Sequence, residues 1–228
     1  MTDVIRTVVV DDDVPTRVGV RTILSSEQGI EVVGEAANAS SAIALVREVE
    51  PDVVLMDVQL PDLDGIEATR QIIQSARDSA NAPRVIVLTT FDFDEYVYRS
   101  LRAGASGFLL KRTPAEDLVE AVRVVADGSS LPLPDRLHDL IARFTAPVDD
   151  HFRRDFRSPL TSREAEVLVM IARDYSNQEI ADRLVVSLDT VKTHVRHVYA
   201  KCGARSRAQA VIVAYESGLI VRSDEAMS

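Results

Sequence analysis

Five reactive side chains in the first half of the chain stand at the ends of short runs of Val, Ile and Leu. Asp11 and Asp12 follow the first run, and Asp57, Thr89 and Lys111 end or follow three later ones. If these runs are parallel strands, their carboxyl ends meet at one edge of a sheet, where such folds bind ligands. Three carboxylates at one edge repel each other and require a counter-charge. Carboxylate oxygens on two loops suit Mg²⁺, and the lysine adds a second positive charge.

These residue types together fit the chemistry of an aspartyl phosphate. A carboxylate can attack phosphorus, while a divalent cation and a lysine neutralise the phosphoryl oxygens and a hydroxyl donates a hydrogen bond to them. Each residue taken alone is more readily read as a solvated loop residue. The joint occurrence of all five at strand ends favours phosphoryl chemistry.

The elements that must position these residues alternate between strand-like and helix-like segments. Apolar runs predict strands at 4–10, 30–35, 53–56, 85–89 and 107–110, and the segments between them have apolar residues three and four positions apart. This alternation predicts an α/β fold, a five-stranded doubly wound parallel sheet covered on both faces. The helix after the fifth strand is predicted to have Thr113 as N-cap and Pro114 as its first residue, and to end near Gly128.

The length of 228 residues suits two domains. We predict the α/β domain at 1–128, a proline-interrupted linker with one short helix at 129–157, and a disordered tail at 223–228. Residues 158–222 are predicted to form a small all-α domain of four helices. The N-caps of those helices are Thr161, Ser176 or Asn177, Ser187 and Ser206.

The formal net charge of −10 is unevenly distributed along the chain. Residues 159–222 hold nine basic and seven acidic residues, a net charge of +2 that leaves −12 for the rest. A mildly basic domain on an acidic body suits contact with nucleic acid phosphates. No apolar run approaches the ~18 residues that span a bilayer. Because the N-terminus lacks a signal layout and Cys202 is the single cysteine, we predict a cytoplasmic protein that does not associate with membranes.

The third helix of the predicted all-α domain has two distinct faces. The buried face is formed by Val191, Val195, Val198 and Cys202. The opposite, polar face is formed by Thr190, Thr193, Arg196 and His197, with Lys192 at its edge. By spacing alone, the polar face could equally be the solvated side of an ordinary amphipathic helix. The short helix at 177–184 and the tight link before the third helix complete a helix-turn-helix unit, which favours a recognition helix in a DNA groove.

The first half resembles the response-regulator receivers of two-component systems. The matching runs are Val-Asp-Asp at 10–12 with Arg17 downstream, Leu-Met-Asp-Val-Gln-Leu-Pro-Asp-Leu-Asp-Gly at 55–65, Leu-Thr-Thr at 88–90, and Ala-Gly-Ala-Ser-Gly-Phe-Leu-Leu-Lys at 103–111. The family often has Asp where Arg112 stands and Arg where Gln59 stands, but neither departure removes a chemical requirement. The resemblance implies a flavodoxin-like receiver fold.

The same resemblance implies a role for each reactive residue. Asp57 is the phosphoacceptor, and a sensor histidine kinase is the partner that phosphorylates it. Mg²⁺ is held by Asp12, Asp57 and the backbone carbonyl of Gln59, with Asp11 assisting through water. Thr89 and Lys111 contact the bound phosphoryl group, and Phe108 is the rotating aromatic residue of the switch.

The second half resembles the LuxR-type effector domain, and a receiver joined to it is typical of the NarL/FixJ class of response regulators. The matching runs are Leu-Thr-Ser-Arg-Glu at 160–164, Val-Leu at 167–168, Ser-Asn-Gln-Glu-Ile-Ala at 176–181 and Thr-Val-Lys-Thr-His-Val at 190–195. The resemblance implies binding to double-stranded promoter DNA. The implied base-edge contacts are Lys192, Thr193 and Arg196, and the implied backbone contacts are Thr190 and His194.

Further implications of this resemblance concern the last helix and one turn. Such domains form homodimers through the last helix, and the implied contact residues are Ala210, Val211, Val213 and Ala214. The alternative for these four is packing inside their own domain. RNA polymerase is a further candidate partner. Asp174 stands where the family usually has Gly, and we expect it to adopt a left-handed conformation without changing the fold.

Two other classes of protein share parts of this pattern. Haloacid-dehalogenase-like enzymes also use a strand-end Asp with Mg²⁺, and residues 11–13 offer their Asp-x-Asp signature, but Pro15 stands where they need Thr or Val. A regulator whose receiver is never phosphorylated would have the same two domains. Because all five reactive residues are present, we predict a phosphorylation-controlled transcription regulator that is not an enzyme, apart from loss of its own phosphoryl group.

Overall fold

A computed structural model describes residues 4–76, 82–90, 94–128, 131 and 158–220. The chain separates into two compact units, Met1–Pro132 and Leu133–Ser228. The short linker helix and the disordered tail expected from the sequence lie outside the described residues, and the domain limits stay a prediction. Among the helices of the described residues, none has the length and apolarity needed to span a membrane.

The first unit is built on one sheet of five parallel strands. They are β1 (Ile5–Val10), β2 (Ile30–Ala36), β3 (Val53–Asp57), β4 (Arg84–Thr89) and β5 (Gly107–Leu110), in the spatial order β2-β1-β3-β4-β5. The connecting helices are α1 (Val14–Ser25), α2 (Ala39–Val49), α3 (Gly65–Ser75), α4 (Asp94–Ala103) and α5 (Ala115–Ala126). The strand order reverses between β1 and β3. The predicted doubly wound parallel sheet is therefore confirmed.

The core explains why the central strands are continuously apolar. Every residue of β3 is buried, because helices cover both faces of the sheet. On one face, Val9, Leu55 and Ile86 pack with Leu24 of α1 and Val122 of α5. The alternate residues of each strand point to the other face, where α3 contacts both α2 and α4. This burial fixes the strand register and with it the strand ends.

The start of α3 lies directly against the end of β3. The Gly65 amide donates to the Val58 carbonyl at 2.9 Å. A Cβ atom built on Gly65 would lie 1.8 Å from the backbone carbonyl oxygen of Asp57, a distance that no side chain can tolerate. Glycine is therefore required here by close backbone approach. Without it, the last residue of β3 could not keep its position.

The start of α5 corrects one detail of the sequence-based prediction. Pro114, with φ −53° and ψ 149°, is the N-cap, and no side chain caps the helix. Thr113 belongs to the turn after β5, because its amide donates to the Leu110 carbonyl at 2.8 Å. The assignment of Thr113 as N-cap is therefore wrong. The predicted end is confirmed, since Gly128 follows the helix with φ +82°.

The described part of the second unit consists of four helices, α6 (Ser162–Ala172), α7 (Asn177–Leu184), α8 (Leu188–Cys202) and α9 (Arg207–Glu216). Their N-caps are Thr161, Ser176, Ser187 and Ser206, as predicted. The first two form capping boxes, in which a glutamate side chain also accepts from the cap amide. Asp174 adopts the expected left-handed conformation, with φ +63°.

The last helix, α9, carries the four residues predicted as a dimer contact. Four of its side chains have between 0% and 3% of their surface exposed in the single chain: Ala210, Val211, Val213 and Ala214. They pack in the interior in this conformation, so their role as a dimer contact stays a prediction that would require their exposure. The alternative reading, packing within the chain's own fold, is the one observed.

We expect Gly65→Ala to destabilise the first unit by about 1–3 kcal/mol, the usual cost of forcing an extra group into a packed site. The matched control is Gly19→Ala, because Gly19 lies within α1 and its added Cβ would meet nothing within 4 Å. The control should stabilise the unit by up to about 1 kcal/mol. Urea unfolding of the full chain, followed by the methyl NMR signals of β3, measures both. Equal effects of the two substitutions would contradict the packing argument.

Candidate functional site

The three predicted carboxylates converge at the carboxyl ends of β1 and β3. Asp11 and Asp57 are buried, with 1% and 3% of their surface exposed, and Asp12 is exposed. One oxygen atom of each lies within 4.8 Å of the others, the arrangement of a metal-binding group. They meet because β1 and β3 are neighbours at the reversal of strand order, where ligands of such sheets bind.

Lys111, directly after β5, supplies the positive charge of this cluster. Its Nζ atom lies 2.7 Å from Asp11 Oδ2 and 2.8 Å from Asp57 Oδ2. It donates a hydrogen bond to Asp57, whereas the buried Asp11 Oδ2 atom has no partner with hydrogen-bond geometry and makes an ionic contact only. Three carboxylates and one ammonium leave an excess of two negative charges. An oxygen-rich cluster with that excess fits Mg²⁺.

The environment shifts the pKa values of both partners of this ion pair. Burial raises the pKa of Asp57, and the hydrogen bond and attraction from Lys111 offset part of that rise. For Lys111, burial opposes the charged form, but its close contacts with the Asp11 and Asp57 carboxylates outweigh it and raise its pKa. Lys111 is therefore a permanent cation near neutral pH.

Hydrogen bonds hold the two loops that carry the carboxylates. The Asp13 amide donates to Asp11 Oδ1 at 3.0 Å, and the Arg17 guanidinium donates to the Asp11 carbonyl at 2.6 Å. The Gln59 amide donates to Asp57 Oδ1 at 3.3 Å. Asp13 caps α1 by accepting from the Thr16 amide at 2.9 Å. Its position three residues before Thr16 is a capping signal that sequence reasoning missed.

The two remaining residues of the predicted switch lie on the neighbouring strands. Thr89 is buried at the end of β4, and its carbonyl accepts from the Lys111 amide at 2.7 Å. Phe108 is half-buried on β5 and pairs with Val87 of β4. The ends of β4 and β5 are thus joined by backbone at the site.

The two faces of α8 have the predicted exposure. Its apolar residues Val191, Val195, Val198 and Cys202 are buried. The exposed residues of the opposite face are Thr190, Lys192, Thr193, Arg196 and His197, and His194 is half-buried. The polar surface therefore extends over residues 190–197 of the helix. It carries two cationic side chains one helical turn apart.

The hydroxyl groups on this surface are already engaged by the helix itself. Thr193 donates to the Asp189 carbonyl at 2.9 Å, and the hydroxyls of Thr190 and Ser187 lie 2.8 Å apart. Lys192 and Arg196 are exposed. Long-range attraction to a polyanion would therefore come from the cations, while the hydroxyls must exchange partners to contact it.

A buried carboxylate anchors α8 to the start of α6. Glu164 Oε2 accepts from the Thr161 amide at 2.7 Å and from Lys201 Nζ at 2.6 Å. The hydrogen bond from Lys201 is the main cause that lowers the pKa of Glu164 to about 2. The anchor is therefore charged at neutral pH and fixes α8 in its unit. The spacing of Thr161 and Glu164 in the sequence predicts the capping box. Nothing in the sequence predicts the contact of Glu164 with Lys201, which lies 37 positions away.

Comparisons with known proteins agree with both units. Residues 7–123 match the response regulator receiver domain, and residues 158–214 match the bacterial regulatory proteins of the luxR family. The chain is 40% identical over 216 residues to the response regulator protein VraR of Staphylococcus aureus, covering 95% of this chain and 99% of VraR. It is 39% identical over 219 residues to the uncharacterized transcriptional regulatory protein YxjL of Bacillus subtilis, and the match covers 96% of this chain and 98% of YxjL.

Solved structures give the same result. The response regulator ChrA of a heme-sensing two-component system is 33% identical, with a TM-score of 0.51, and the match covers 96% of this chain and all of ChrA. A receiver domain followed by a helix-turn-helix domain is a regulatory combination, so the haloacid-dehalogenase alternative is set aside. The same combination implies a histidine kinase partner and DNA binding. The chain belongs to the NarL/LuxR family of DNA-binding two-component response regulators.

Proposed function

We propose that phosphorylation of Asp57 by a partner histidine kinase controls dimerisation of this regulator and its sequence-specific binding to promoter DNA. One observation carries the proposal: the buried Asp57 carboxylate lies 2.8 Å from a lysine ammonium and beside two further carboxylates. A nucleophile, its counter-charge and a group of metal ligands are thereby combined at one strand end.

The proposed chemical step uses an oxygen atom of Asp57 as the nucleophile. That oxygen forms a bond to phosphorus while the bond from phosphorus to the kinase histidine nitrogen breaks, and the nitrogen leaves with the bonding electron pair. Asp11, Asp12, Asp57 and the Gln59 carbonyl would hold Mg²⁺, which neutralises phosphoryl oxygens when bound. The product is a mixed anhydride on the Asp57 side chain.

The proposed switch begins with the loss of a contact. Once Asp57 carries a phosphoryl group, its carboxylate is no longer the anion that Lys111 faces at 2.8 Å. We expect the ammonium to pair with a phosphoryl oxygen and the Thr89 hydroxyl to donate to another. Because the Lys111 amide is bonded to the Thr89 carbonyl, the ends of β4 and β5 would move together, and Phe108 would follow. The result is a shift between two populations of the receiver surface.

The DNA contacts proposed for α8 follow from its exposed face. Lys192, Thr193 and Arg196 would contact base edges, and Thr190 and His194 would contact phosphates. In a homodimer, two such helices would meet half-sites about one helical turn apart, and a DNA-bound dimer would bring RNA polymerase within reach. Dimerisation through the buried side chains of α9 would first require their exposure.

The phosphorylation step predicts a difference between the wild type and Asp57→Asn. Acetyl phosphate with Mg²⁺ should tighten DNA binding of the wild type by about tenfold, a typical coupling between two sites, and leave the variant unchanged. Fluorescence anisotropy with duplexes that the protein has selected from a random pool measures both Kd values. Equal binding by both proteins in all conditions would show that the receiver is not a phosphorylation switch.

The counter-charge predicts the effect of Lys111→Met. Two buried carboxylates lose their cation, so the free energy of unfolding should fall by about 3 kcal/mol at pH 7. Without Lys111 the pKa of Asp57 rises further above its ordinary value of 3.8, so the folded variant binds more protons than the unfolded chain as the pH falls. The loss of unfolding free energy relative to the wild type should therefore become smaller as the pH falls from 7 to 5.

The matched control for this prediction is Arg112→Met, which removes an equal charge at the next, exposed position. Its free energy of unfolding should change little, and the change should not depend on pH in this way, since exposed charges contribute little to stability. Urea unfolding at the two pH values measures both variants. A loss that is equal for the two, or that grows as the pH falls, would contradict the counter-charge argument.

The exposed face of α8 predicts separate effects on affinity and specificity. Lys192→Ala and Arg196→Ala should each weaken DNA binding by about 1–3 kcal/mol and relax the preference at one base position. Arg173→Ala, the same charge change at an exposed position after α6, is the control and should leave sequence preference intact. Selection of DNA sequences by each variant, with Kd measured across a salt series, tests this. If a substitution weakens binding to all DNA sequences equally and also reduces the salt dependence of Kd, the residue contacts phosphates rather than bases.

A further inference from the structure

The loop between β3 and α3, residues 58–64, is tied to a neighbouring helix by one carboxylate. Asp62 Oδ1 accepts from the Ala39 amide at 2.8 Å, and Asp62 Oδ2 accepts from the Ser40 amide at 2.9 Å. Both oxygens are therefore used at the N-terminus of α2, more than twenty positions earlier in the chain. We propose that Asp62 is a positioning residue that holds this loop, and with it the Gln59 carbonyl, in place for Mg²⁺. This inference rests on the metal site of the proposed function.

Helix α2 does not need Asp62 to complete its own N-cap. Asn38, the residue before the helix, accepts from the Ser41 amide at 2.8 Å in the ordinary manner. Asp62 instead binds the two preceding amides, which a local cap leaves free. The helix start thus receives one cap from its own segment and one from the loop. The second adds a link between two parts of the chain.

The helix is a firm attachment point for the loop. Ala39, Ala42 and Val46 of α2 are buried, and the helix packs on β2 and α3. The helix dipole favours a carboxylate at this end. Hydrogen bonds from Ser40 and Ala39 hold the pKa of Asp62 far below its usual range, so the link stays charged well into acid conditions.

The other end of the loop is fixed next to Asp57, the proposed phosphoacceptor. The Val58 amide donates to the Leu88 carbonyl at 3.2 Å, and the Gln59 amide donates to Asp57 Oδ1 at 3.3 Å. Asp62 lies only three positions after Gln59. The Gln59 carbonyl is therefore carried by a short segment anchored on both sides. Without the hydrogen bonds of Asp62, the loop that carries the Gln59 carbonyl would have to become ordered when Mg²⁺ binds. The entropy cost of that ordering would lower the affinity for Mg²⁺.

The test is a Mg²⁺ titration of the full chain, followed through the backbone amide NMR signals of residues 57–59. Asp62→Ala should weaken Mg²⁺ binding by about tenfold, the lower end of the effect of removing a residue that supports a metal ligand. Asn38→Ala is the matched control, because it removes a hydrogen bond from the same helix end without touching the loop. Its Mg²⁺ affinity should equal that of the wild type, even though both variants lose a cap.

A second variant, Asp62→Asn, keeps one acceptor oxygen and should give an intermediate loss of affinity. An unchanged Mg²⁺ affinity in Asp62→Ala would overturn the inference while leaving the proposed function intact. An equal loss in Asn38→Ala would also overturn it, since the effect would then come from α2 rather than from the loop. Failure of the wild-type chain to bind Mg²⁺ would contradict the proposed metal site, and the inference with it.

Discussion

The candidate site of the first unit depends on one ammonium group placed between two buried carboxylates. The strand order puts β1 and β3 side by side, so Asp11 and Asp57 are neighbours, whereas Lys111 follows β5, two strands beyond β3. Strands lie about 4.8 Å apart, so the backbones of β3 and β5 are roughly 10 Å apart, and the side chains of Lys111 and Asp57 must meet past the end of β4. The charge contact thus requires both the strand order and the register.

Most of this arrangement can be predicted from the sequence because it follows from local patterns. Apolar runs mark the strands, and side-chain caps such as Ser187 mark the helix starts, since a cap acts within three residues. Local patterns are not sufficient where contacts distant in sequence decide the structure. Thr113 is a good N-cap by type, but the turn after β5 uses its amide. The small apolar residues of α9 suit either an interface or an interior, and only the packing of the whole unit shows that they are buried. The link from Asp62 to α2 has no periodic signal at all.

The two units use buried ion pairs for different purposes, and the difference lies in the charge balance. Glu164 and Lys201 form a pair with one charge of each sign, and hydrogen bonds hold the pKa of the glutamate at about 2. Such a pair is complete and fixes α8 on α6. The cluster around Asp57 has three carboxylates for one lysine, and burial raises the pKa of Asp57. It is incomplete as it stands. A buried cluster with excess charge needs a ligand of opposite sign, whereas a neutral pair needs none.

The same charge balance explains how a small chemical change could alter a whole receiver. Three carboxylates, one lysine and a bound divalent cation would together be neutral. In the proposed phosphorylated form, the single charge of Asp57 is replaced by a group of about −2, so the cluster again carries excess negative charge. Only a movement of positive or hydrogen-bond-donating groups can offset that excess in a buried site. Lys111, which contacts Asp57, shares a backbone hydrogen bond with Thr89 at the ends of β4 and β5. The proposed switch would therefore act first on those two strands.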